Sequence, residues 1–211
     1  MLTFTIRLIQ VNIGLIFFGI GLAVMLQAQL GLGPWEVLHQ GIADQFSYST
    51  TIFNLEIDLS SVGVVAIIVS ALVMFFWIPL KEKPGLGTVL NAIVIGITID
   101  LGVYFFPEPS WIVWRFIMMA IGPILVALGS VIYISTELGP GPRDGLMTGI
   151  AKRGFPIGIV RTGIEGTVLI AGIFLGGNIG MGTIWFAFGI GPMIQFMSRY
   201  STSPTLNTIR K

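Results

Sequence analysis

The sequence predicts an all-α, polytopic transmembrane helix bundle of six spans, arranged as two three-span repeats with a short motif helix in each. Three observations predict it. The 211 residues are 54% apolar and 10% charged, with a mean hydropathy of +0.91. A soluble domain carries about 25% charged residues, so this chain cannot cover itself against water. Several apolar runs reach the roughly 17–25 residues that cross a bilayer as a helix. Finally, Leu30–Ala43 (LGLGPWEVLHQGIA) recurs 108 residues later as Leu138–Ala151 (LGPGPRDGLMTGIA), identical at eight of fourteen positions, with a carboxylate kept at Glu36/Asp144. A repeat on that scale is read before any single element, because it sets the architecture.

The elements follow in order. The first span runs from about Leu8 to Gln29, with Gly14 and Gly21 on one packing face. It is read as uncleaved, since no small-residue cleavage pattern lies near Gln27–Gln29. Pro34 suits a first helical position, so a short helix is expected over 34–46, too short to span. Ser47–Leu59 reads as a polar, acidic loop, with Asp58 or Ser60 as cap for a second span over Ser61–Leu80. A basic turn at Lys81–Pro84 leads to a third span, Leu86–Phe106, and residues 107–110 link the halves. The second half reads as a span over Trp111–Thr136, a short helix over 142–153, then spans over Ile157–Leu175 and Met181–Met197. The organisation is thus 1–107, 110–200, and a disordered tail over 201–211.

The likeness extends past the motif. At the same offset Arg7 matches Arg115, Gly14 matches Gly122 and Gly21 matches Gly129; at an offset of 95, Gly85–Ile99 matches Gly180–Ile194 at seven of fifteen positions. Three crossings per half predict inverted halves. With the N-terminus inside, the cytoplasmic face receives Arg7, Lys81, Lys83, Arg143, Lys152, Arg153, Arg199, Arg210 and Lys211, and the other receives Glu36, Asp44, Glu56, Asp58 and Glu108. Only Arg115 lies near the outer face, with Arg161 just inside the fifth span, so the asymmetry fits the positive-inside rule. A parallel repeat whose motif helices also cross would put Arg115 inside but Lys81 and Lys83 outside. It would also ask about twelve residues to span ~30 Å at 1.5 Å each.

Several function classes drop out. A net charge of +1 gives no support for a nucleic-acid partner, and the absence of cysteine removes disulfides and thiolate sites. No G-x-S-x-G elbow, H-E-x-x-H pair or P-loop occurs, so no enzyme, cofactor or metal centre is expected. Chemistry is sought instead at the glycine-broken motifs, because broken helices placed symmetrically in inverted halves point to a transporter's binding site. Candidate substrate-binding residues are Glu36, His39, Arg143, Asp144, Asp100 and Gln195. Glu36 and His39 share one helix face, as do Asp144 and Thr148. Asp100 is an acid inside a span, a functional hypothesis by default, and Gln195 is its repeat mate. The plainer readings stand beside these. Glu36 and Asp144 also suit a helix's first turn, worth about 0.3–1 kcal/mol with no other role. Arg143 also reads as a topology anchor, Asp100 as a hydrogen-bond partner for a neighbour, and His39 as polar surface. Arg161 and Glu165, four apart, read as an ion pair.

GPWEVLHQGIA, GLGTVLNAIVIGITIDL, GPGPRDGLMTGI and VRTGIEGTVLIAG…GIGP together resemble the YczE-type branch of the YczE/YyaS/YitT bacterial integral membrane proteins. The resemblance covers about residues 7–198, and the paired G-x-G-P-x-[ED] motifs are its specific part. It implies a multi-helix fold in the bacterial inner membrane and supplies no substrate or site residues. The Phe46–Leu59 loop departs from the pattern, being longer and more acidic. The expectation is a multi-pass inner-membrane protein with both termini cytoplasmic. It would be a small secondary-transporter or permease-like protein taking a small molecule or ion between its halves, the lipid bilayer its surroundings and a homo-oligomer left open. The alternative is a non-transporting accessory or regulatory component of a partner complex.

Overall fold

The computed structural model describes residues 4–46, 49–52, 55–151, 153–155 and 157–200, without the side chains of 49–52, 55–57, 148, 151, 157–159 and 161. The tail expected over 201–211 lies outside the described residues. In order the elements are α1 (Phe4–Ala28), α2 (Pro34–Ala43), β1 (Ser49–Ile52), β2 (Leu55–Asp58), α3 (Val62–Phe75), α4 (Trp77–Leu80), α5 (Leu86–Phe105), α6 (Ile112–Ile134), α7 (Pro142–Ala151), α8 (Ile157–Phe174) and α9 (Met181–Ser198). The chain is a helical bundle. Among the described residues α1, α5 and α6 are long and apolar enough to cross a membrane, and shorter apolar helices cover Val62–Phe75 and Thr162–Phe174.

Three boundaries depart from the sequence reading. The segment expected as a loop over Ser47–Leu59 holds an antiparallel hairpin, with Ser49 opposite Asp58 and Ile52 opposite Leu55; Thr50, Thr51, Ile52 and Ile57 are β-branched and favour it. The second expected span is broken at Phe76 into α3 and α4, where Pro79 has no N–H to offer the Phe75 carbonyl. The cap of α3 is neither Asp58 nor Ser60 but Ser61, whose Oγ accepts from Val64 N at 3.1 Å.

α1 and α6 form the spine, and small residues let them meet. A Cβ on Gly14 would lie 2.9 Å from the Gly129 carbonyl, and one on Gly21 2.6 Å from that of Gly122. The pairing of 14 with 129 and 21 with 122 makes the two helices antiparallel. At one end of the pair, Arg7 donates through Nε to the Thr136 carbonyl at 2.7 Å, closing the last turn of α6. α5 runs parallel to α1: Gly19 meets Thr98, Ala23 meets Gly102, and Gln27 Nε2 donates to the Val103 carbonyl at 2.8 Å. α3 runs antiparallel to α5, Gly63 facing Asp100 and Ile67 facing Gly96. Between these helices Val11, Leu15, Leu22, Met25, Ile95, Ile99, Val126 and Ala127 form the apolar core. Large apolar side chains such as Phe105, Trp111, Phe174 and Phe188 remain exposed, as suits a surface solvated by lipid.

The chain then leaves α1 and α6 through matching turns. Gln29 (φ 52°) and Gly31 (φ 108°) are left-handed, and so are Glu137 (φ 53°) and Gly139 (φ 127°). Such φ values are rare without glycine, and the two pairs are 108 residues apart. Each turn docks on a helix start from the other part of the chain. Gly182 N donates to the Leu30 carbonyl at 2.7 Å, and Gly87 N to that of Leu138 at 2.8 Å. Each of those helix starts is closed by its own threonine, Thr183 Oγ1 accepting from Gly180 N and Thr88 Oγ1 from Gly85 N.

Candidate functional site

The turns place the short helices. With Pro34 at its first position, α2 turns Trp35, Glu36, His39 and Ala43 inward. Trp35 and Ala43 lie in an apolar cluster with Val65, Val69 and Val73 of α3, and α8 contributes Ile164 and Val168. α7 is held from the other side. Trp77 Nε1 donates to the Pro142 carbonyl at 3.0 Å, and Thr88 Oγ1 to that of Pro140 at 2.7 Å. The first turns of α2 and α7 consequently meet side chain to side chain.

Their meeting point is an ion pair. Arg143 Nη1 lies 3.0 Å from Glu36 Oε1, with the Glu36 side chain 1% exposed and that of Arg143 23%. The Arg143 guanidinium carbon also sits 5.7 Å from the ring centroids of both Phe18 and Trp35, the distance of a cation–π contact. Beside it, Tyr133 OH donates to Asp144 Oδ2 at 2.7 Å. His39 is buried one turn along α2, its ring 6.4 Å from that of Trp35. α2 lies outside the spanning helices. There burial, and next the Arg143 guanidinium, lower the His39 pKa from its ordinary 6.5 to about 3, so the imidazole is neutral.

A cavity of about 20 Å³ opens between Glu36, His39, Ser70, Asn91, Pro142 and Arg143, with Leu22, Ile95 and Ile99 as its apolar wall. That is room for about one water. Three buried polar atoms here have no hydrogen-bond partner: Glu36 Oε2, His39 Nδ1 and Trp35 Nε1. Buried polar groups are nearly always satisfied, so such orphans call for an explanation. Among the described residues no three metal-ligating side chains converge.

The structure therefore brings together Glu36, His39 and Arg143, with Asp144 alongside. It does not bring Asp100 or Gln195 to them. Asp100 accepts from Ser61 Oγ at 2.5 Å and Gly63 N at 2.9 Å, fastening the start of α3 to α5. Gln195 is exposed on α9. The expected Arg161–Glu165 pair lies outside the described residues, because the Arg161 side chain is not described, and the same holds for Thr148. Sequence reasoning missed the direct bond between Glu36 and Arg143. It also missed Tyr133, Ser70 and Asn91 as neighbours. An arginine in one motif copy where the other carries a tryptophan, with a carboxylate in each, was the available signal.

The arrangement defines a class first: a helical membrane bundle with a buried, ion-paired polar centre. The family follows from comparison. Residues 5–199 match a family of unknown function, DUF6198, and the chain belongs to that family. It is 40% identical over 179 residues to an uncharacterized protein of Haemophilus influenzae, covering 84% of this chain and 77% of the relative. It is 33% identical over 186 residues to the uncharacterized membrane protein YczE of Bacillus subtilis, covering 87% and 81%. The uncharacterized protein YyaS of the same organism is 27% identical over 179 residues, covering 82% and 83%. The expected resemblance to YczE-type membrane proteins holds. No solved structure matches the chain.

Proposed function

We propose that this chain is a small secondary-transporter or permease-like protein of the bacterial inner membrane, rather than an enzyme, with its site in the cavity between two inverted halves. The observation that carries the reading is the Glu36–Arg143 pair. It joins the first turns of two matching motif helices, one from each half, at a cavity lined from both. Inversion is supported by the antiparallel course of α1 and α6, whose matching glycines meet crosswise, and by the reciprocal docking of Leu30 and Leu138. On this reading the chain crosses the bilayer six times with both termini cytoplasmic. Broken helices whose starts face a central site are the usual geometry of such carriers.

The test is solute flux in proteoliposomes. Uptake of a small polar solute or ion by the wild type should be lost in a Glu36→Gln, Arg143→Gln double variant that still folds. Flux of every candidate unchanged in that variant would remove the pair from the mechanism. The second reading, a non-transporting accessory component, is favoured by one observation: a cavity with room for about one water leaves little space for a solute. Copurification of a stoichiometric partner, whose activity survives the same substitutions, would select it.

A further inference from the structure

Among the described residues the charges around the cavity do not balance. Glu36, which lines the cavity, and Asp144, which stands just outside its lining, share one guanidinium, Arg143. His39 is neutral. α3 and α5 face the cavity with the uncharged Ser70 and Asn91, and α1 with Leu22. α6 contributes the Tyr133 hydroxyl, already donated to Asp144. α8, packed on α2, carries Glu165 outside the cavity lining. Arg143 occupies only one Glu36 oxygen. The other, Oε2, is buried with no donor, and so is His39 Nδ1, which accepts in one of the two neutral tautomers. Both residues are more than nine-tenths buried and both line the cavity.

We infer that the cavity is a binding site for a water-sized monovalent cation that donates hydrogen bonds, namely ammonium or a proton carried on water, held by Glu36 Oε2 and His39 Nδ1. The volume sets the size limit, since about 20 Å³ admits one such species. Two carboxylates sharing one guanidinium set the sign. The imidazole nitrogen separates this site from an alkali-metal site, because Na⁺ and K⁺ prefer oxygen ligands whereas an N–H or O–H donor is satisfied by nitrogen as well. The indole of Trp35, tilted against the His39 ring and within cation–π distance of Arg143, stands beside the site as a built-in optical reporter. This inference rests on the transport reading only for its purpose; binding itself needs no flux.

The experiment titrates the purified full chain in detergent with ammonium chloride, against potassium and sodium chloride at equal ionic strength and fixed pH, following tryptophan fluorescence and heat. Saturable binding of ammonium alone is expected, weakened roughly tenfold or more in Glu36→Gln, as loss of one charge-assisted hydrogen bond implies. His39→Gln should weaken it as well, and serves if Glu36→Gln does not fold. The same transition produced by acidification without ammonium would identify the proton as the cation. Equal responses to all three salts and none to acid, or ammonium binding unchanged in a folded Glu36→Gln or His39→Gln chain, would overturn the inference. Binding without flux would sink the transport reading and leave the site standing; flux of another solute without ammonium or proton binding would do the reverse.

Discussion

The surroundings of the two motifs agree in their backbone contacts and differ in their side chains. The helix starts of α5 and α9 both receive a motif turn, through Gly87 N on Leu138 and Gly182 N on Leu30. The motif helix ends agree too: Gln45 donates to the Leu175 carbonyl and, 108 residues on, Arg153 reaches that of Leu80. The helices after the motifs part company. α3 lies tight on α5, where a Cβ on Gly96 would meet Ile67 and the Gly63 carbonyl at 2.5 and 2.6 Å. Gly191 stands at the matching place on α9 and, among the described residues, has no such neighbour within 4 Å. Asp100 fastens α3 to α5 through Ser61 and Gly63, whereas its mate Gln195 is exposed. Main-chain contacts match between the two motif-bearing parts, while contacts that need one particular side chain match only where that side chain is present. Trp35 and Arg143 are the extreme case: the same place in the two motifs, one an aromatic wall and the other the cation it stacks on.

The largest effect should come from that unlike pair. Arg143→Gln leaves Glu36 buried without its cation and should cost about 3–5 kcal/mol, as breaking a buried pair does. Asp144→Asn, the matching acid's change, keeps a partner in Tyr133 and should cost about 1 kcal/mol. Unfolding of both variants in detergent measures the gap; equal costs would mean the two motifs are energetically alike. Next, Gly96→Ala should destabilise by about 1–3 kcal/mol through overpacking. Gly191→Ala should be neutral or stabilise by up to about 1 kcal/mol through helix propensity. The same loss from both would show that α8 closes on α9 as α3 does on α5.

Acid supplies a third comparison. The folded His39 pKa is lowered to about 3, so below its unfolded value of 6.5 the unfolded chain binds a proton that the folded chain does not. Stability is then lost as pH falls from about 7 toward 3. Replacing His39 by Gln should flatten that part of the profile; an unchanged slope would place a charged imidazole in the folded protein. Asp100→Asn weakens two hydrogen bonds at the start of α3 and should cost about 1 kcal/mol. Gln195→Ala should leave thermal unfolding where it is.

What the sequence made legible was whatever repeats or is periodic. The apolar runs located the helices to within a few residues, and the duplicated motif located both short helices, since Pro34 and Pro142 mark their starts. The crosswise glycines 14, 21, 122 and 129 were visible as a packing face, though not which met which. The strands Ser49–Ile52 and Leu55–Asp58 were masked by the acids among them, although Thr50, Thr51, Ile52 and Ile57 carried a β signal, and the break at Phe76 was hidden by an apolar run that continues through Pro79. The candidate site was half legible. Glu36, His39, Arg143 and Asp144 stood out within their motifs, but repeat logic pairs each residue with its mate, Glu36 with Asp144. The bond that forms joins Glu36 to Arg143, which are not mates. Asp100 was singled out as an acid inside a span. Its work at the start of α3 depends on Ser61 and Gly63, 39 and 37 residues away, which no local pattern connects.

The account stands on the two motifs opening toward opposite faces of the membrane. The chain has no cysteine, so Asp44→Cys and Phe155→Cys, just past the ends of α2 and α7, can each be exposed in intact cells to a thiol reagent that does not cross the membrane. Labelling at position 44 alone, with position 155 reacting only after lysis, is the expected result. Labelling of both in intact cells, or of neither until lysis, would put the two motifs on one side and contradict the proposed inversion of the halves.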